Sequence, residues 1–448
     1  PMQDHNPQPR YFDTQLLGFL FLMMLFFLAG IAAVHLFDWD EINFAESARE
    51  MLVTGNYTRV QIDFQPFWEK PPLFFWLQAA SMKAFGVNAF AARLPNVFFG
   101  VLTLYMLFRV GRHVRNKQFA WWVVMLYAGS LLPHAYFKSG IIDPVFNFFI
   151  FTSVYTMIYT LNAPTHIAKW AFLAGVLNGL AVLTKGPVGL LILLLTFLVY
   201  MALTRFYYFP KWRNILILAL GVFLTSFLWY GLELIKNGWW FIGEFIAYQL
   251  ALFSEPVAGH GQPFYYHFIV VFLGCFPMSV FALPGFALRR PVLTMDFHRW
   301  MLVLFWVVML LFSIVHTKIV HYSSMAYFPL AFLAAEAIGR YTAKGQKPPR
   351  WLRGLYLGMG IFIGVLLAAV PLVAMHGGAL IKQVKDPFVQ AAFRAPAQWQ
   401  GLEYLPGVFW ASGIVAVFFL LRAKKPSQAL FVHVLVAGLT LAVAMRWV

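Results

Sequence analysis

Apolar runs long enough to cross a lipid bilayer recur along the whole chain, separated by short polar breaks. A spanning helix needs about 20 mostly apolar residues, because its backbone groups meet no water in the hydrocarbon core and must bond internally. Such runs lie near residues 15–36, 95–111, 118–135, 144–161, 168–183, 186–204, 214–235, 264–288, 300–315, 322–339, 353–375, 407–421 and 429–447. The stretch 171–204 is too long for one span, and Gly186-Pro187 in "LTKGP" divides it. The pattern predicts an all-α polytopic membrane protein of about thirteen transmembrane helices, forming one transmembrane domain over residues 1–448. Composition agrees. The chain is 61% hydrophobic and 11% charged, more apolar surface than a soluble fold can hide.

Lys and Arg set the orientation. With the N-terminus inside and the runs alternating, the basic breaks "RHVRNK", "RFYYFPKWR", "RRPVLTMDFHR", "RYTAKGQKPPRWLR" and "RAKK" all fall inside, as the positive-inside rule expects. The formal charge of +16 then lies on one face. These cations anchor helices beside anionic lipid and form no stripe for nucleic acid, so membrane lipids are expected partners and nucleic acid is not. The run 15–36 lacks a small-residue cleavage site and is expected to stay as a helix. Cys275 is the single cysteine, so no intrachain disulfide can form.

Three outer segments exceed a turn: 37–94, 236–263 and 376–406. In the first, 41–54 and 73–92, the latter broken by Lys83, Gly86 and Asn88, read as helices lying along the interface. Most of the unusual charge gathers there. Asp38, Asp40 and Glu41 follow the first run directly. One reading makes such acids a solvated cap on helix 41–54, which suits Glu41 and Glu46. The other makes one of them a general base at a water–lipid boundary. Glu46 and Glu50 are expected on the wet face of that helix. In "FWEKPPLFFWL", Glu69 and Lys70 are boxed by aromatics and held by Pro71-Pro72, either as an interfacial anchor or as site residues. Asp143 opens a span with Pro144 at the first helical position. Lys185 either marks a turn or is a cation aimed at phosphate. "GHGQPFYYH" and "HTKIVHYSSMAYFPL" add His260, His267, His316, Lys318, His321 and Tyr322 on the same outer face, without a diagnostic metal-ligand spacing.

Together, "DEINFAESAREMLVTGNY", "FWEKPPLFFWLQAASMKAFGVNAFAARLPNVFFG", "IIDP" and "LTKGP" resemble the type-C (GT-C) glycosyltransferases of the aminoarabinose transferase and protein O-mannosyltransferase group. The resemblance is strong over about 35–190 and persists through 312–333. It implies a membrane enzyme that moves a sugar from a polyprenyl-phosphate carrier to a lipid, glycan or protein acceptor at the outer face of a bacterial inner membrane, with inversion. The acceptor would be lipid A or another envelope glycan. A protein O-glycosyltransferase and a lipid-linked sugar flippase are the alternatives, although a flippase would carry charges nearer mid-span. Carried over by position, the resemblance makes Asp40 the base, with Asp143 and Glu69 beside it. Lys70, Lys185, Lys318 and Tyr322 would meet the carrier. Glu69 with His260 would hold a divalent metal. The aminoarabinose branch reads "DETRYAE" where this chain has Asn43 and Phe44, so one cation and one hydroxyl are missing. The sizeable outer C-terminal domain of the lipid A enzymes is expected to be absent.

Overall fold

In the computed structural model, residues 13–37, 39–67, 69–207, 209–254, 261–288, 291–376, 390 and 401–445 are described. The chain opens with α1 (Thr14–Leu28), α2 (Asp40–Thr54), the hairpin strands β1 (Gln61–Ile62) and β2 (Gln65–Pro66), and α3 (Leu73–Phe85). Then come α4 (Ala89–Val114), α5 (Lys117–Ala128), α6 (Leu131–Tyr136), α7 (Asp143–Asn162), α8 (Ile167–Lys185) and α9 (Val188–Leu203). The second half holds α10 (Trp212–Asn237), α11 (Trp239–Ser254), α12 (Tyr266–Gly274), α13 (Met278–Phe286), α14 (Phe297–Ile314), a 3₁₀ turn (Val320–Ala326), α15 (Tyr327–Ala343) and α16 (Arg350–His376). Leu405–Arg422 and Pro426–Ala444 close it.

The fold is an all-α polytopic membrane bundle. Among the described residues eight helices are long and apolar enough to cross a bilayer, or nine if α12 and α13 make one bent span. Each of the thirteen runs contains helix, yet five are not continuous spans. The run 15–36 stops helically at Leu28, before Gly30 at φ +81°. The run 118–135 divides at Gly129-Ser130 into α5 and α6. α9 has only 16 residues. Run 264–288 bends by 115° between α12 and α13. Run 322–339 starts in the 3₁₀ turn and continues as α15, whose residues Tyr327 to Gly339 are all buried. α5 and α15 are apolar because protein surrounds them, and a hydropathy pattern cannot tell that from lipid. Where spans do pack, small residues let the backbones close. A Cβ on Gly175 of α8 would sit 2.1 Å from the Leu218 carbonyl of α10, and one on Gly221 would sit 2.6 Å from the Phe172 carbonyl.

The first loop corrects two expectations. The segment 73–92 is not one helix. It breaks at Gly86 (φ +81°), and α4 begins at Ala89, where the Asn88 side chain accepts from the Ala91 amide. Glu50 is buried rather than wet: its carboxylate takes the Phe64 amide at 3.1 and 3.0 Å and so clamps the β1–β2 turn. Glu46 is half-exposed and pairs with Arg49 at 2.5 Å along the helix. The outer segment 236–263 carries α11. The segment 376–406 lies almost wholly outside the described residues.

Candidate active site

Five helix or turn ends and the middle of α11 meet in one cleft, lined by Asp40, Glu69, Lys70, Asp143, Lys185 and Tyr322 among others. All but Tyr248 come from places where the chain stops being regular. Asp40 starts α2, after Trp39 takes φ +65°, a conformation rare for a non-glycine residue. Glu69 and Lys70 precede the Pro71-Pro72 entry to α3. Asp143 starts α7, with Pro144 following. Lys185 ends α8. Tyr248 comes from α11, and His321 and Tyr322 from the 3₁₀ turn.

The charges in the cleft are mutually engaged. The Lys185 ammonium donates to Asp143 Oδ1 at 2.6 Å, with both side chains almost excluded from solvent. Its Nζ also lies 4.8 Å from the centre of the Tyr322 ring, a cation–π arrangement. Tyr248 donates to Glu69 Oε2 at 2.6 Å, and Lys70 Nζ stands 3.5 Å from the same oxygen and over the Tyr248 ring. His321 Nε2 lies 3.3 Å from Asp40 Oδ2 and 3.6 Å from Asp143 Oδ2. Burial lowers the His321 imidazole from its ordinary range despite the two aspartates beside it, which favours the neutral ring. Burial, and then the Glu69 charge, raises the Tyr248 phenol, which therefore stays a donor. Burial likewise raises Tyr322.

Beside Asp40, Glu41 faces into protein and is not a solvated cap. Its side chain is buried and takes Arg93 Nε at 2.7 Å, Arg93 Nη2 at 2.8 Å, the Phe37 amide at 2.5 Å and the Gly140 amide. Arg93 spends its remaining donors on the carbonyls of Ile31, Val34 and His35 at 2.7 to 2.9 Å. Gly140 leaves room for this approach, since a Cβ there would come within 3.1 Å of Glu41 Cγ. Lys138 caps the same region from the other side, donating to Phe26 O at 2.8 Å and to Ala29 O. Burial, with Arg93 nearby, brings its amine down to about 8. The acids at 40 and 143 are thus carried by two connections stapled through Glu41.

Lys318 does not line the cleft. It is buried and donates to the Val315 carbonyl at 2.6 Å. Asp38 and His260 lie outside the described residues. Of the residues expected to hold a divalent metal only Glu69 is described, and its Oε2 faces a phenol donor and an ammonium. Among the described residues no group of three or more His, Cys, Asp or Glu side chains is gathered to hold one. Sequence reasoning left three features unassigned: the His321 bridge, Tyr248 and the Glu41–Arg93 pair. For the last a signal existed, because an arginine inside the apolar stretch "AFAARLPNVFF" requires a buried anion.

A family model described as dolichyl-phosphate-mannose-protein mannosyltransferase matches residues 69–230. The undecaprenyl phosphate-alpha-4-amino-4-deoxy-L-arabinose arabinosyl transferase 1 of Proteus mirabilis is 27% identical over 332 residues, covering 72% of this chain and 59% of the relative. The corresponding transferase of an Enterobacter species is 28% identical over 384 residues, covering 82% and 66%. The chain therefore spans less than two thirds of the length of these relatives. The crystal structure of ArnT from Cupriavidus metallidurans bound to undecaprenyl phosphate superposes with a TM-score of 0.80 at 19% identity, covering 97% of this chain and 77% of that one.

Bundle and cleft together define a multi-pass inner-membrane protein with the GT-C fold. Within that class the chain is similar to the undecaprenyl-phosphate aminoarabinose transferases and, over residues 69–230, to the dolichyl-phosphate-mannose-protein mannosyltransferase family model.

Proposed function

We propose that this protein transfers a sugar from a polyprenyl-phosphate carrier, of the undecaprenyl-phosphate type, to an acceptor hydroxyl or phosphate on an envelope lipid or glycan. The cleft opens to the periplasmic side. The observation that carries the reading is the convergence of Asp40, Asp143, Glu69, Lys70, Lys185 and Tyr322 in one cleft. The relatives' printed activity supports the donor class.

For a hydroxyl acceptor the reaction is one displacement. The acceptor oxygen attacks the anomeric carbon from the face opposite the phosphate, and its proton passes to Asp40. The bond from that carbon to the phosphate oxygen breaks, and its electron pair leaves with the polyprenyl phosphate. Lys70 and Lys185 stabilise the charge that grows on the leaving phosphate, which counts most in a site of low dielectric. Both lysines are paired with carboxylates before the donor arrives, so the phosphate joins a neutralised network and meets no isolated cation. Glu69, steadied by Tyr248, orients Lys70. Asp143 orients Lys185. Tyr322 closes the wall beside the carrier.

The test is transfer by purified protein in proteoliposomes from an undecaprenyl-phosphate sugar, followed by mass spectrometry of the acceptor. Asp40→Asn is expected to lower transfer by about 10²–10⁴-fold, the usual range for a general base. Normal turnover by that variant would refute the assignment. The match to a protein mannosyltransferase family model keeps a protein hydroxyl as the second reading. A glycosylated polypeptide in place of a glycosylated lipid would select it.

A further inference from the structure

Two aspartates from different helices share one nitrogen in this cleft. Asp40 Oδ2 and Asp143 Oδ2 face the same His321 Nε2, at 3.3 and 3.6 Å. Two carboxylates gathered this closely repel each other, and the usual relief is protonation of one of them. A protonated Asp40 could not act as a base. Asp143 is neutralised by Lys185 at 2.6 Å, but no lysine is paired with Asp40 among the ion pairs of the described residues, where its partner is His321. The ring is held for this task. Its turn is fixed by a hydrogen bond from Asn147 to Ser324 at 2.7 Å and by the contact of Ser323 with His267 at 3.2 Å. The imidazole side chain is 12% exposed and packs edge-on against Tyr322.

We propose that His321 is a positioning residue for the base: its neutral Nε2–H tautomer donates across the two aspartates, keeps Asp40 ionised, and turns the other Asp40 oxygen toward the acceptor. The proposal rests on the transferase reading above. At 3.3 Å the contact with Asp40 lies just beyond the usual N–H···O range, so the donation requires it to close when the substrates fill the cleft. Protonation of the ring would replace a dipole by a full charge and make Asp40 a weaker base. The titratable groups around His321 are Asp40 of α2, Glu69 and Lys70 before α3, Asp143 of α7, Lys185 of α8, Tyr248 of α11 and His267 of α12. Lys318 and Tyr322 flank it on its own segment. The lysines oppose its protonation and the aspartates favour it, and burial outweighs both.

The experiment compares His321→Leu and His321→Gln with the natural protein in the proteoliposome assay across pH. Loss of the donor is expected to lower kcat by about ten- to a hundredfold, the range typical of an outer partner that orients a reacting group. The KM for the donor lipid should change less than about twofold. The acid limb of the kcat profile should move to higher pH in His321→Leu, because an Asp40 without its donor holds its proton more tightly. His321→Gln keeps an N–H donor and should fall between. An unmoved acid limb, or a Gln variant no better than Leu, overturns the proposal, since a merely structural histidine would cost yield without shifting the limb. Nitrogen NMR of histidine-labelled natural protein gives a readout independent of turnover. An Nε2–H tautomer at His321 that is lost or shifted in Asp40→Asn supports the bridge, and an Nδ1–H tautomer overturns it. Absence of transfer by the natural protein, or full transfer by Asp40→Asn, would sink the transferase reading and this role with it, while the NMR result would still decide the bridge.

Discussion

Glu41→Gln is the sharpest test of how this site is built. Each Glu41 oxygen accepts two hydrogen bonds: Oε1 from Arg93 Nε and the Gly140 amide, Oε2 from Arg93 Nη2 and the Phe37 amide. A glutamine has the same shape but only one carbonyl oxygen. Whichever way its amide is turned, the NH₂ group points at an arginine N–H and a backbone N–H. Arg93 cannot shed its proton, and it is wholly buried. Breaking a buried pair by removing one partner costs about 3–5 kcal/mol. Glu46→Gln is the control. It removes a half-exposed pair spaced i,i+3, for which about 0.2–1 kcal/mol is usual. The chain supplies its own reporter, because Cys275 is its single cysteine and is fully buried. A thiol-reactive fluorogenic dye added to detergent-purified protein should therefore label only as the bundle opens on heating. Glu41→Gln should open at markedly lower temperature than the natural protein, and Glu46→Gln should be nearly indistinguishable from it. Sugar transfer should fall with Glu41→Gln even below its melting range, since the connection that carries Asp40 is then no longer tied to Gly140. Equal melting of the two variants would mean that Glu41 is only a solvated cap, and the argument would fail.

Two further outcomes follow from the same geometry. Lys185→Met leaves Asp143 buried without its cation, so the protein should melt earlier; adding Asp143→Asn should recover much of that loss while transfer stays low in both. Recovery of transfer in the double variant would show that Lys185 has no part in holding phosphate. Lys138 sets a pH dependence: its folded amine titrates at about 8 against an ordinary value near 10.5, so between those values the unfolded chain binds more protons than the folded one. Melting temperature should therefore rise with pH across that window and fall as pH drops toward 8, and Lys138→Met should flatten the slope, which thermal melts from pH 7 to 11 would check.

The apolar runs made the class of fold legible, because the period and length of a spanning helix are local properties of the chain. They could not separate lipid-facing helices from α5 and α15, whose apolar faces meet protein. The site divided along a similar line. Asp40, Glu69, Lys70, Asp143, Lys185 and Tyr322 could be singled out singly, as charges or hydroxyls at the ends of greasy runs, where a polar group needs a reason. That they line one cleft is consistent with a single alternation of inside and outside placing every one of them on the same face.

Their pairing could not be read in advance, for a physical reason. An exposed carboxylate and a buried one are the same letter, and what distinguishes them is a partner brought from far along the chain. Glu41, Glu46 and Glu50 sit within three turns of one helix and have three fates: a buried clamp on Arg93, a half-exposed pair with Arg49, and a buried acceptor for a hairpin amide. Helical spacing predicts the second alone, because only that partner lies on the same helix. His321 went unassigned for the same reason, with its two aspartates arriving on α2 and α7. In a membrane the cost of an unpaired buried charge makes such partners obligatory. The place to look for them from sequence is therefore the other stranded polar residues inside apolar segments, of which Arg93 and Lys138 are the two that hold this site's frame.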